Sequence, residues 1–241
     1  MRRCLRTVWT GLLVLSMGLV AEAADQHAAV TPVPRQDAGW VQRNQAFNER
    51  VKQGNVDLVF IGDSITQAWE NNGKEVWEKY YHHRKAINLG IGGDRTQHVL
   101  WRLANGNLEG ISPKAAVLMI GTNNANKDDH TAEQIADGIT AIVKLLQERR
   151  PKTRILILGI FPRGEQPNPQ REKNAKASEL ASKLADGKMV HYMDIGVHFL
   201  KPDQTLPKEI MPDFVHLTPR GYEIWAIAIE GKLRELLGEK P

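Results

Sequence analysis

The chain has 241 residues, with 32 Lys and Arg against 28 Asp and Glu, 41% hydrophobic residues and one cysteine. A single thiol excludes an internal disulfide and any multi-cysteine metal centre, so the fold must rest on its core. The densest basic stretch, ERRPKTR at 148–154, falls where a helix should end and carries no interleaved aromatics, which argues against a nucleic-acid surface.

The chain opens with Arg2, Arg3 and Arg6, an apolar run at 8–20, and the small-x-small pattern Ala21-Glu22-Ala23. Residues 1–23 therefore read as a secretory signal peptide. The apolar run is shorter than the roughly 20 residues a spanning anchor needs, and Arg2-Arg3 alone does not make a twin-arginine signal. Cleavage after Ala23 would remove Cys4, three arginines and Glu22, taking the formal charge from +4 to +2 and leaving no stable membrane span. The expectation is an exported protein, periplasmic or secreted. The remaining stretch of about 218 residues suits one domain.

Residues 24–39 are polar and proline-bearing and are expected to be a flexible leader to a single domain at 40–241. From Trp40 the pattern turns helical, with Trp40, Val41, Asn44, Phe47 and Val51 sharing a face. VDLVFIGD at 56–63 follows, a short run of branched apolar residues of the kind buried on both faces of a sheet. Further strands are expected at 85–91, 114–121, 153–160 and 188–195, separated or followed by helices at 74–82, 94–105, 131–149, 169–186 and 218–237. Pro219 after Thr218 marks a plausible first helical turn. Five buried strands alternating with helices predict an α/β sandwich around a parallel sheet.

In such sheets the loops after the strand carboxyl ends build the site. The first three are GDSIT, GIGGDRT and GTNNAN, all rich in glycine and small polar residues. Ser64 is the candidate nucleophile, or simply a helix cap. Its base needs an orienting partner. Among the histidines, His216 stands out because Asp213 precedes it in PDFVHLTPRGY, ahead of the closing helix. Gly93 can offer a close backbone N–H and Asn123 a side-chain amide to an oxyanion. The alternatives are a tight turn for the glycines and an Asx-turn for the asparagines. GIGGDR lacks the G-x-G-x-x-G spacing of a dinucleotide fingerprint.

Ser in GDS, Gly in the second loop, Asn in GTN and Asp-x-x-His near the C-terminus, in that order, resemble the SGNH hydrolases, a branch of the GDSL esterases. The resemblance runs over nearly all of residues 55–237 and is closest to the platelet-activating factor acetylhydrolase catalytic subunits. It implies a three-layer α/β/α sandwich with a flavodoxin-like five-stranded parallel sheet, and a Ser64–His216–Asp213 triad. It also implies an oxyanion hole of Ser64 N–H, Gly93 N–H and the Asn123 side chain, and no metal or organic cofactor. Two departures stand out: Ile65 replaces leucine in the first block, and GTNN replaces the commoner GTND, so Asn124 cannot act as an anion. The α/β-hydrolase alternative wants G-x-S-x-G, and Thr66 stands where its second glycine should be.

The expected reaction is acyl transfer to water. Ile65 and Val215 flank nucleophile and base, and if they wall the acyl side they favour acetyl esters. The compartment points to O-acetyl groups on carbohydrates, the family resemblance to lipid esters. Trp69, Trp77 and Trp101 could stack a sugar, although helical spacing more often marks core. An idle carbohydrate-binding protein and a long-chain lipase are the other readings. Relatives of this kind can dimerise, but no interface signature is visible.

Overall fold

The structure, a computed structural model, describes residues 26–127 and 129–240. The expected signal peptide and Cys4 lie outside the described residues. Five short branched-rich segments pair into one parallel sheet: β1 (Leu58–Gly62), β2 (Ala86–Gly90), β3 (Ala115–Met119), β4 (Arg154–Leu158) and β5 (Val190–Met193), in the order β2-β1-β3-β4-β5. This is the doubly wound, flavodoxin-like arrangement that the family resemblance implies.

The period of two along each strand divides the core. Val59, Ile61, Leu89, Leu118 and Ile157 face one layer; Leu58, Phe60, Val117 and Leu156 face the other. The first layer holds α1 (Ala38–Lys52), α4 (Thr96–Ala104), α5 (Ala132–Arg149) and α6 (Pro169–Ser182). The second contains α2 (Ser64–Gln67), α3 (Lys74–Tyr80) and α7 (Pro219–Leu237). Trp69, 1% exposed, sits in that second layer with Trp225 and Tyr222. Trp77 and Trp101 are half-buried against the two cores. Trp69 is therefore a core residue, and because Trp77 and Trp101 lie in opposite layers the three do not form one sugar platform.

The leader reading needs correction. Ala29 is fully buried, its carbonyl accepts from Thr96 Oγ1 at 2.8 Å, and Val33 N–H donates to Gln97 O at 3.3 Å. Arg35 reaches Gly92 O. Residues 28–37 thus form a strap across the start of α4 and the loop after β2. Polarity and prolines concealed this, because the strap is held by backbone acceptors and not by an apolar face.

Candidate active site

Three of the five strands end at the switch point where the sheet order reverses around β1. β1 delivers Gly62-Asp63-Ser64. Gly62 is required by close packing: a Cβ there would lie 2.1 Å from Thr66 Oγ1 and 2.4 Å from Met119 O. Asp63 caps α2 by accepting from Ile65 N–H at 3.0 Å. Ser64 is therefore the first helical residue rather than the cap, and its hydroxyl is free for another partner.

That partner is His216. Ser64 Oγ lies 2.9 Å from His216 Nε2, and His216 Nδ1 lies 2.6 Å from Asp213 Oδ2. Asp213 Oδ1 also accepts the backbone N–H of Val215 at 3.0 Å and of His216 at 2.8 Å. Burial pushes the Asp213 carboxyl up, but the His216 bond and those two N–H groups outweigh it and hold it below the usual range. An ionised carboxylate only accepts, so the imidazole proton sits on Nδ1 and the Nε2 lone pair faces the serine hydroxyl. Phe214 makes the turn possible with φ +59°, an uncommon value for a residue with a Cβ. Its carbonyl is held by Gly164 N–H at 2.9 Å, from the loop after β4. Arg171 bonds both Arg163 O and Gly164 O, bracing that loop in turn.

β2 leads into Gly92 and Gly93. Gly93 has φ +79°, the left-handed region open to glycine. A Cβ on Gly92 would lie 3.7 Å from Ser64 Cβ, which sets this loop against Ser64. Among the described residues, neither Ser64 N–H nor Gly93 N–H has a protein acceptor. β3 delivers Asn123, whose Nδ2 donates one hydrogen to Asp94 O at 3.0 Å. That bond orients the amide and leaves its second N–H free. The neighbouring Asn124 is fully buried and accepts Thr96 N–H at 3.0 Å. It satisfies the first N–H of α4 from the neighbouring loop, a task an uncharged amide performs without a counter-ion.

Beneath the loop lies a buried charge cluster that the sequence reading missed. Asp94, 0% exposed, accepts from Trp40 Nε1 at 2.7 Å and Arg102 Nε at 2.9 Å. Arg102, also 0% exposed, donates further to Asn107 Oδ1 and Gly62 O. The available signal was weak: Asp94 and Arg102 stand eight residues apart in DRTQHVLWR, where Arg95, Thr96, Gln97 and His98 make the helix entry look solvent-facing. On the far side, Arg163 donates to Thr122 O, Thr122 Oγ1 and Asn126 Oδ1, tying the loop after β4 to that after β3.

Ile65 does not wall the acyl side. It is 2% exposed and packed in the second core layer, while its carbonyl accepts from Tyr222 Oη–H at 2.5 Å. One residue along a helix turns the side chain by about 100°, so a serine facing outward sends its neighbour inward. Val215 is half-buried and keeps some surface. A groove of about 460 Å³ between Phe47, Trp69, Trp77 and β2 lies on the sheet edge and contains none of the triad. Concavity alone does not define chemistry; a nucleophile bonded to an oriented base does.

Asp63 is fully buried, and its Oδ2 has no hydrogen-bond partner. Desolvation pushes its carboxyl up to about 7, opposed by the Ile65 N–H bond, reinforced by Asp94 and lowered by His216. A carboxyl that holds its proton more tightly folded than unfolded destabilises the fold as pH rises from about 4 to 7, with no further change above. Asp63→Asn removes that dependence. The melting temperature of the variant should therefore gain on wild type between pH 5 and pH 8, by on the order of 1–3 kcal/mol in stability. A difference independent of pH would contradict the assignment.

A serine bonded to an oriented imidazole beside free N–H donors has the geometry that acyl transfer through a nucleophile and base requires. Comparison with known proteins agrees with the class. The model of the GDSL-like Lipase/Acylhydrolase family matches residues 60–224, and the chain belongs to that family. It is a carboxylic ester hydrolase. It is 41% identical over 220 residues to the platelet-activating factor acetylhydrolase IB subunit alpha1 of Bos taurus, across 89% of this chain and 93% of the relative. Similar folds include a carbohydrate acetylesterase family member from Sinorhizobium meliloti, at 20% identity and TM-score 0.60, covering 76% of this chain and 99% of that one. An acetylxylan esterase from Geobacillus stearothermophilus, as a catalytic mutant, matches at 18% identity and TM-score 0.58, covering 78% and 96%.

Proposed function

We propose that the protein is a serine acetylesterase acting through Ser64, His216 and Asp213. The observation that carries this reading is the continuous chain of bonds from Ser64 Oγ through His216 to Asp213. Ser64 Oγ attacks the ester carbonyl while His216 Nε2 takes its proton. The carbonyl oxygen becomes the oxyanion and meets the N–H groups of Ser64 and Gly93 and the free Asn123 amide hydrogen. Collapse breaks the bond to the alcohol, which leaves with the proton from His216. Water, deprotonated by His216, then attacks the acyl-serine and releases the acid. Asp213 holds the tautomer and balances the charge on the imidazolium.

Preference for acetyl is supported by the acetylhydrolase relative and by the two acetylesterases among the similar structures. Val215 contributes to it on the acyl side. For the alcohol we favour O-acetylated carbohydrate. The His216 side chain is 42% and Asp213 55% exposed, so the rim accommodates a large, solvated leaving group. The signal-like residues 1–23 support work outside the cytoplasm, where a mature N-terminus at Ala24 is expected. An acetylated ether phospholipid is the second reading, favoured by the 41% identical relative.

Turnover of p-nitrophenyl acetate, butyrate and octanoate should fall at least tenfold from acetate to octanoate; equal rates would remove the acetyl preference. Acetate release from acetylated xylo-oligosaccharide against that from a 2-acetyl ether phospholipid decides the alcohol. Faster release from the lipid overturns the carbohydrate reading.

A further inference from the structure

The Gly92–Gly93 peptide is gripped from outside the catalytic loops. Arg35 Nη1 donates to Gly92 O at 2.5 Å, while Arg35 Nε is held by Asp37 Oδ2 at 3.0 Å and Nη1 lies 3.7 Å from Asp94 Oδ1. The guanidinium sits so close over the loop that a Cβ on Gly93 would come within 2.9 Å of Nη1. On the other side of the same residue, Gly92 N–H donates to Gln67 Oε1 at 2.7 Å. The two peptides meeting at Gly92 are thus fixed by partners from two different segments.

None of the peptide bonds is cis among the described residues, and a planar trans peptide points its C=O and N–H in opposite directions. Fixing the Gly92 carbonyl on Arg35 therefore fixes the Gly93 N–H on the opposite side. A cation on the carbonyl oxygen also draws electron density from the amide and makes that N–H a stronger donor, as hydrogen bonds in series polarise one another. We propose that Arg35 is a positioning residue of the oxyanion hole, acting through the Gly92–Gly93 peptide to aim and polarise the Gly93 N–H. The strap at 28–37, anchored by Ala29 O and Val33 N–H, is in this view part of the catalytic apparatus. The inference rests on Gly93 being an oxyanion donor.

The test uses the full chain with Arg35→Met, which keeps the stem without the charge, and Arg35→Lys, which keeps a cation and a donor. Two reactions are read: p-nitrophenyl acetate turnover, and phosphorylation of the serine by diethyl p-nitrophenyl phosphate, whose phosphoryl oxygen also needs the hole. Loss of a whole donor costs about 10²–10³ in kcat, so weakening one should cost about 10–100-fold. Arg35→Met is expected to lose that factor in kcat with KM within twofold, and to lose the same factor in phosphorylation rate. Arg35→Lys is expected within threefold of wild type in both. The inference is overturned if Arg35→Met keeps kcat within twofold, if its phosphorylation rate is unchanged while kcat falls, or if a folded Arg35→Lys is impaired tenfold or more. That last reading stands even where Arg35→Met does not fold. Ser64→Ala run alongside separates the levels: if it turns over like wild type, the site itself is misassigned, whereas a dead Ser64→Ala beside a normal Arg35→Met removes only the role of Arg35.

Discussion

Ser64→Ala is expected to lower kcat for p-nitrophenyl acetate by about 10⁴–10⁶ while leaving the fold intact. The magnitude follows from what remains. Without the hydroxyl, the N–H donors and the binding surface still act, but His216 has no proton to take and water must attack directly. His216→Ala should cost about as much, and the double variant little more than either, because the two groups perform one step together. Asp213→Asn should cost less, since the backbone N–H groups of Val215 and His216 still meet an oxygen there, but the amide favours the wrong tautomer. The melting temperature of Ser64→Ala should move only slightly, as Ser64 is half-buried and gives up a single bond. Residual kcat within tenfold of wild type would remove Ser64 as nucleophile. Double-variant losses that multiply would show that Ser64 and His216 act independently.

Arg102→Met is expected to be the most destabilising of the substitutions considered, at about 3–5 kcal/mol, because it leaves a buried carboxylate short of its partner. Desolvation already pushes Asp94 up and Arg102 down from their ordinary values, and each offsets the other's burial. Methionine fills the stem but leaves Asp94 with the Trp40 indole and with Arg35 at 3.7 Å. Asp94 would then bind a proton more readily in the folded state, so the loss should be smaller at pH 5 than at pH 8. Adding Asp94→Asn should return part of the stability, since a neutral amide tolerates burial better than an unpaired charge. Urea unfolding at both pH values measures this. A loss below 1 kcal/mol at pH 8 would mean the pair contributes little. Activity should fall with stability, because the Asp94 carbonyl holds the Asn123 amide.

These expectations divide by what kind of information a chain carries. The strands, the parallel sheet and the loops that hold the chemistry were legible, because branched apolar runs of strand length have few other uses and strand ends gather at one edge. Helix bounds came within a few residues, helped by local signals such as Thr218-Pro219. Ser64, Gly93, Asn123, Asp213 and His216 were nameable because their residue types suit the chemistry and their order resembles that of a known family. The tertiary structure alone decided the rest. It turned Ile65 into the core, made Asp63 and not Ser64 the cap, and buried the Asp94–Arg102 pair under the loop. It also drew the polar segment at 28–37 against that loop, where Arg35 meets Gly92. Those features depend on contacts between residues up to 157 positions apart, made through backbone carbonyls and buried charges. Hydrophobic periodicity records which face of an element is buried; it carries no record of which distant backbone oxygen a polar side chain will find.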